Sequence, residues 1–140
     1  MDEELKALFV VSNEYELLAL WRLVAEAKFQ PDPDDTDLWG SPYVHALSKR
    51  IDEAILQISK DKGDEKYVQR HLAWRASLES NVVLPVVRKN LKRDVAEAQW
   101  KSRTAEEKIV YLRGCVVPFE ITDTLAEQLI HEAESSDRDL

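Results

Sequence analysis

The residues that begin and end helices constrain the fold of this chain more than any other feature. Ser41 stands before Pro42, the usual order of an N-cap and a first helical residue, and Gly63 supplies the glycine that commonly ends a helix. Further along, Thr104 and Glu107 have the spacing of a capping box. Between such signals apolar residues recur every three or four positions, the period of an amphipathic helix. The pattern predicts an all-α fold of about five or six helices.

Length and composition fit one compact domain. The chain has 140 residues, of which 44% are apolar, and its 3 glycines are too few for a turn-rich all-β fold. We expect a helical domain over residues 1–134 and a frayed polar tail over residues 135–140. The single cysteine, Cys115, excludes an internal disulfide and fits a reducing compartment. The acidic start is unlike a signal peptide and no run of about 20 apolar residues follows it, so we expect a cytoplasmic protein that does not enter a membrane.

The first segment allows more than one interpretation. Residues 2–29 form either one helix or two, because Asn13 and Glu16 can cap a second start near residue 12. The short apolar run over residues 8–11 is also compatible with a strand.

The later segments carry their own predictions. Residues 65–80 are apolar on two faces, which is typical of a central helix, and residues 82–101 follow as one longer helix. Residues 108–118 form either a helical segment that Gly114 closes or a small β-hairpin. Asp123 is expected to cap the last helix.

The apolar stripes also predict the core. Ile51, Leu72 and Leu91 each lie at the centre of a stripe on a predicted helix. All three are therefore expected to be buried.

Acidic residues gather in the loop after the first helix. Asp34, Asp35 and Asp37 follow two prolines, which end that helix. The glycine and glutamate that a calcium loop requires are missing, so no metal site is predicted here. Trp39 comes next and either packs into the core or stands exposed as an interface anchor. The predicted partner-binding residues are Asp34, Asp35, Asp37 and Trp39.

A basic stripe provides a second candidate surface. The arc opposite the apolar face of the predicted helix over residues 82–101 holds Arg88, Lys89, Lys92, Arg93 and Trp100. Basic residues with an interleaved aromatic can hold nucleic acid through phosphates and stacking, or can hold an acidic protein surface. The alternative is a solvated face with Trp100 folded back against the following turn.

Catalytic signals are weak. His71 lies between aromatic residues on an apolar stripe and is the one candidate for a general base, which makes a small enzyme the second alternative function. No nucleophile motif, glycine-rich phosphate loop or zinc-protease motif accompanies it, so we predict no catalytic residues and no cofactor. Glu127, His131 and Glu134 share a helix face but lack matching ligands on other helices, so no metal is predicted.

Charge is distributed unevenly along the chain. The net charge is −8, and residues 1–42 hold three basic and ten acidic groups whereas residues 82–108 hold seven basic and four acidic groups. An acidic protein is a poor general binder of nucleic acid. We therefore predict a non-catalytic protein-binding module, for example an immunity- or inhibitor-type protein that docks an acidic surface on a basic partner. A helical nucleic-acid-associated regulator that uses the stripe at residues 88–100 is the first alternative.

Overall fold

The secondary structure is α-helical. A computed structural model describes residues 7–138, apart from the side chain of Arg138, and no β-strand occurs in that range. The helices are α1 (Glu14–Lys28), α2 (Asp37–Gly40), α3 (Pro42–Asp61), α4 (Glu65–Arg75), α5 (Leu84–Val95), α6 (Ala98–Lys101), α7 (Ala105–Val116) and α8 (Asp123–Arg138), with a 3-10 turn at Leu78–Ser80. The all-α prediction is confirmed. These residues form eight α-helices rather than five or six, because α2 and α6 are single turns of 4 residues that the apolar period does not reveal.

The start of α1 is defined by a reciprocal pair of hydrogen bonds. The Glu16 N–H donates to Asn13 Oδ1 at 3.0 Å, and the Ser12 N–H donates to Glu16 Oε1 at 2.8 Å. The helix start that Asn13 and Glu16 allow is therefore present, and the alternative of one continuous helix over residues 2–29 is wrong. Residues 7–12 form neither helix nor strand, and residues 1–6, where an earlier helix was considered, lie outside the described residues.

Gly63 and Gly114 are required for different structural reasons. Gly63 follows α3 with φ of 71°, as predicted for a helix stop. Gly114 lies inside α7 instead of ending it, and a Cβ there would come within 2.7 Å of His45 Cδ2. Both predictions for residues 108–118, a stop at Gly114 and a hairpin, are wrong. The capping box at Thr104 starts a helix that continues to Val116, and Gly114 within that helix lets α3 approach α7 closely.

The centre of the fold is α5. Val87, Leu91 and Val95 are buried on the side of α5 that packs in the main core, and α8 is its principal neighbour. The prediction that residues 65–80 form the central helix is wrong. Helix α4 lies at the edge against α3, and the side chain of Leu72 is 38% exposed. The aromatic face of α4 is covered by the fold, whereas its second apolar face meets solvent.

The second half of the chain differs from the prediction at helix ends. The segment 82–101 is divided into α5 and α6 because Glu97 takes an extended conformation, φ −86° and ψ 146°, before Trp100 turns into the core. Thr122 rather than Asp123 caps α8, since Thr122 Oγ1 accepts the Leu125 N–H at 3.1 Å. Helix α8 continues to residue 138, so the expected frayed tail is helical up to that point.

A smaller apolar cluster joins α1 to α3. Leu17, Ile51 and Ile55 form its buried part, separate from the main core around α5. Among the helices formed by residues 7–138, none is both long enough and apolar enough to span a bilayer.

Candidate functional site

The acidic loop leads directly into α2. Asp34, Asp35 and Asp37 are exposed. Asp35 Oδ1 accepts a hydrogen bond from the Asp37 backbone N–H at 2.9 Å, which fixes the chain as it enters the helix. The three carboxylates are therefore presented to solvent beside a backbone that α2 holds in place.

Trp39 is a core residue. Its side chain is 2% exposed, and its ring meets Phe29 edge to face with a centroid separation of 6.2 Å. Of the two alternatives predicted for Trp39, burial is confirmed and the exposed anchor is wrong. The physical reason is that a large apolar ring is buried while its N–H still finds an acceptor, Asp94 Oδ2, at 2.8 Å.

Asp94 is a buried carboxylate held by neutral donors. It is 8% exposed, and Oδ2 accepts hydrogen bonds from Trp39 Nε1 and, at 2.9 Å, from the hydroxyl of Tyr111. Burial raises the pKa of the Asp94 carboxyl, and the two hydrogen bonds oppose that rise. A buried carboxylate without a bonded cation is costly to maintain, and such groups concentrate at functional sites.

Helix α7 approaches α2 closely at Gly40. A Cβ on Gly40 would lie 2.7 Å from the Tyr111 hydroxyl, so a side chain at this position would displace the phenol. Burial, with the nearby Cys115 and Asp94, raises the pKa of Tyr111. The phenol therefore stays protonated and remains a hydrogen-bond donor to Asp94.

A cleft of about 340 Å³ opens beside Asp94, between α2, the start of α3, the end of α5 and α7. Its charged lining residues are Asp37, Arg93, Asp94, Glu97 and Arg103. Among the described residues, none of these five side chains forms an ion pair. The volume lies at the lower end of the range for small-ligand sites. Charged groups of both signs therefore line an open space without a direct ion pair between them, although the charge of Arg93 opposes the rise in the pKa of Asp94 that burial causes.

Aromatic rings form the walls of this cleft. The Arg103 guanidinium lies 4.1 Å from the centroid of the Tyr111 ring, and Trp100 packs edge to face on the same ring at 6.0 Å. Tyr43 also lines the cleft and is 81% exposed. The cleft is thus bounded by Tyr111, which is held in place by its contacts, and by the exposed Tyr43.

The basic stripe is largely committed to contacts within the chain. Arg88 Nε lies 3.1 Å from Glu132 Oε2, and Lys89 pairs with Asp32 of the acidic loop. Lys92 is exposed. The acidic loop and the basic stripe, two separate candidates from the sequence, therefore meet each other in the folded chain.

The last two members of the stripe lie elsewhere. Arg93 is half-buried and lines the cleft. Trp100 is buried, and its Nε1–H donates to Glu134 Oε2 at 3.2 Å. The exposed position predicted for Trp100 on the stripe is therefore wrong, because the ring packs in the main core and is not available for base stacking.

His71 belongs to a buried polar network centred on Asp52. Its Nε2 lies 2.9 Å from Asp52 Oδ1, which also accepts the Trp21 Nε1–H at 2.9 Å, while Arg75 Nε donates to Asp52 Oδ2 at 2.6 Å. The ring stacks on Tyr67 at 5.8 Å. A cleft of about 280 Å³ nearby is lined by Asp52 and Arg75 but not by His71. The network thus links three helices, and the use of His71 as a base stays a prediction.

The metal-ligating types of side chain and the single thiol are further candidates for reactive chemistry. Within residues 7–138, no group of three or more His, Cys, Asp or Glu side chains is placed to hold a metal ion. Glu134, one of the three residues considered on α8, is bound to Lys108 at 2.6 Å. Burial raises the pKa of the Cys115 thiol to about 12, so the sulfur is protonated and poorly nucleophilic.

An apolar groove of about 580 Å³ lies between α1 and α3. Phe9 and Val11, which precede α1, line one side, and Leu47 and Ile51 of α3 line the other. Phe9 and Leu47 are exposed, so the groove presents apolar surface to solvent. Monomeric proteins seldom leave such surface without a use.

The groove and the cleft lie along one face of α3. Tyr43, Leu47 and Arg50 are spaced four and three residues apart, so their side chains share one side of the helix. Tyr43 lines the cleft, whereas Leu47 and Arg50 line the groove. This surface is called the α3 face. It consists of the stripe of Tyr43, Leu47 and Arg50, the cleft at one end of the stripe and the groove at the other.

Asp94, Tyr111 and Arg103 were not predicted as site residues. One signal was present: Asp94 falls between Leu91 and Val95 on the buried stripe of α5, where a carboxylate interrupts an apolar row. The partner of that carboxylate, Trp39, lies 55 positions earlier in the chain, and no local pattern links the two.

Comparison of the chain with known protein families, with characterised proteins and with solved structures gives no match. The case for a function therefore rests on the geometry of the site.

Proposed function

We propose that this chain is a non-catalytic protein-binding module that docks through the α3 face. The observation that carries the proposal is that one side of α3 borders both a charged cleft, at Tyr43, and an apolar groove, at Leu47 and Arg50. Protein interfaces combine an apolar centre with a polar rim, and tyrosine and arginine are enriched among their energetically important residues. The α3 face brings these components together, with Tyr43, Leu47 and Arg50 contributed by α3.

The proposed partner is basic. The exposed acids Asp34, Asp35 and Asp37 lie beside the cleft end of the α3 face, and the first 42 residues hold ten acidic groups against three basic ones. A surface of this sign accelerates encounter with a basic partner and lowers affinity for phosphate. An immunity- or inhibitor-type protein that neutralises a basic enzyme is a concrete form of the proposal, and the cytoplasm is its proposed compartment.

Affinity capture with matched variants tests the docking surface. The baits are the wild-type chain, Leu47→Glu in the groove, and Val110→Glu, which changes an exposed apolar residue of α7 outside the α3 face. We expect a protein that the wild-type and Val110→Glu baits retain and that Leu47→Glu loses. Identical captures with all three baits would remove the α3 face from the proposal.

Association kinetics test the acidic loop. Replacement of Asp34, Asp35 and Asp37 by asparagine should slow association with the captured partner more than it speeds release, and added salt should do the same. The control is Glu127→Gln, an exposed acid on α8. An association rate that responds to neither salt nor the triple substitution would contradict steering by this loop.

A further inference from the structure

We propose that the cleft beside Asp94 receives a cationic side chain, a lysine or an arginine, of the protein partner, and that the Asp94 carboxylate binds it. This inference rests on the proposed function and names the chemistry of one contact in it. The cleft, its buried carboxylate and its exposed tyrosine are the observations behind it.

The carboxylate of Asp94 is positioned but only partly used. Trp39 and Tyr111 both donate to Oδ2, and no hydrogen bond within residues 7–138 reaches Oδ1. The two donors are uncharged, so they orient the carboxylate without neutralising it. A cation that enters the cleft would therefore find a fixed acceptor, and its arrival would offset the cost of burying the charge.

The remaining charges of the cleft favour a cation over an anion. Asp37 and Glu97 add two carboxylates to that of Asp94, against two guanidinium groups. Of those, Arg103 is stacked on the Tyr111 ring at 4.1 Å. An anion would approach three carboxylates, whereas a cation is opposed by Arg93 and by an arginine held against an aromatic face.

Tyr43 offers an exposed aromatic ring to the same ligand. Its side chain is 81% exposed although it lines the cleft. An aromatic face within about 6 Å of an ammonium or guanidinium group attracts it. A lysine or arginine on Asp94 would therefore give Tyr43 a cationic partner, which no side chain within residues 7–137 supplies.

The indole N–H of Trp39 is a direct reporter of this contact, because it donates to the carboxylate that would bind the cation. The experiment follows its ¹H–¹⁵N resonance in the isolated chain during titration with N-acetyl-arginine amide and N-acetyl-lysine amide. N-acetyl-glutamine amide is the neutral control and N-acetyl-glutamate amide the anionic one. We expect saturable shifts with one or both cationic probes, with Kd on the order of 1 mM, a value typical of a single weak contact.

Variants separate the site from general electrostatic attraction. Asp94→Asn should weaken binding of the cationic probes at least about tenfold, a loss of roughly 1.4 kcal/mol, while Glu127→Gln on α8 should leave it unchanged. Tyr43→Ala changes an exposed side chain and should weaken binding in a chain that still folds, so the test remains decisive even when Asp94→Asn is unstable.

Three results would overturn the assignment: no shift with either cationic probe, equal shifts with the neutral or anionic probe, or unchanged binding in both Asp94→Asn and Tyr43→Ala. These outcomes are distinct from failure of the proposed function. Loss of a partner in Leu47→Glu with no response to the probes would keep the α3 face and remove only the cation site.

Discussion

The ammonium of Lys28 lies 2.8 Å from the carbonyl oxygen of Gly114 and donates a hydrogen bond to it. A second bond, at 2.9 Å, reaches the carbonyl oxygen of Val117. Both carbonyls stand at the C-terminal end of α7, where the helix dipole favours a positive charge. A buried lysine at the end of α1 thus ties that helix to the end of α7.

The first prediction concerns the pH dependence that Lys28 creates. Burial lowers the pKa of Lys28 to about 7 from an unfolded value of about 10.5. Between these values the unfolded chain binds more protons than the folded chain, so the contribution of Lys28 to the free energy of unfolding rises with pH. Below pH 7 both states are protonated and the cost of burying the charge is fully present. The expected rise is on the order of 4 kcal/mol.

Urea unfolding of Cys115→Ala and of Cys115→Ala with Lys28→Met, from pH 7 to pH 10, measures this contribution as the difference between the two. Cys115 is removed from both proteins because the charges of Lys28 and Cys115 act on each other, and because the raised pKa of Cys115, about 12, would lower the free energy of unfolding above pH 9. Lys101→Met, on the exposed surface of α6, is the control and should give a difference that does not vary with pH. A flat difference for Lys28→Met as well would contradict the burial of a charged amine.

The second prediction concerns the close approach at Gly114. Gly114→Ala places a Cβ within 2.7 Å of His45 Cδ2, so it should cost about 1–3 kcal/mol of stability. His45→Ala should recover much of that loss, because the clash disappears with the ring. Gly63→Ala has no atom nearby but a φ of 71°, so its cost should be insensitive to His45→Ala. A double-mutant cycle without coupling between Gly114 and His45 would contradict this packing.

The third prediction treats Asp52 as the centre of a structural network. Asp52→Asn leaves Arg75 and His71 without the buried carboxylate that both contact, and should cost about 3–5 kcal/mol. Glu53→Gln, an adjacent exposed carboxylate, should change stability by less than about 0.5 kcal/mol. Equal effects of the two substitutions in thermal or urea unfolding would show that the network contributes little.

The fourth prediction compares three apolar residues that the sequence ranks equally. Leu91→Ala and Ile51→Ala remove buried side chains and should each cost about 2–5 kcal/mol. Leu72 is 38% exposed, and Leu72→Ala should cost less than about 1 kcal/mol. The midpoints of urea unfolding of the three variants test this ranking. A Leu72→Ala loss as large as that of Leu91→Ala would place α4 inside the core after all.

The contrast between Leu72 and Leu91 shows which parts of the fold can be predicted from the sequence and which cannot. Caps and apolar periods are local, so the starts of α1, α3 and α7 and the inner faces of α5 and α8 are predictable from neighbouring residues. Which helix becomes central depends on which apolar faces find partners, and that depends on contacts distant in the chain. The candidate site has the same character. Asp37 is visible as an exposed acid, but the cleft exists only because Trp39 and Tyr111 meet at Asp94.

The last prediction tests the basic stripe as a nucleic-acid surface. Four phosphate contacts from Arg88, Lys89, Lys92 and Arg93 would give a salt slope of about −3.6 with duplex DNA. In the folded chain Arg88 pairs with Glu132, Lys89 pairs with Asp32, and Trp100 is buried away from any base. The rest of the protein carries a net charge of −12, because the net charge of −8 includes these four positive charges.

We therefore expect no measurable binding to duplex DNA at physiological salt, because Arg88 and Lys89 are paired with acids and phosphate is repelled from the other approaches. Fluorescence anisotropy with a labelled duplex measures it. Micromolar binding that disappears in Arg88→Glu with Lys92→Glu, and persists in Arg50→Glu on α3, would contradict the expectation. Such a result would favour a nucleic-acid-associated regulator over the protein-binding module, because only the stripe would then account for a salt-dependent ligand.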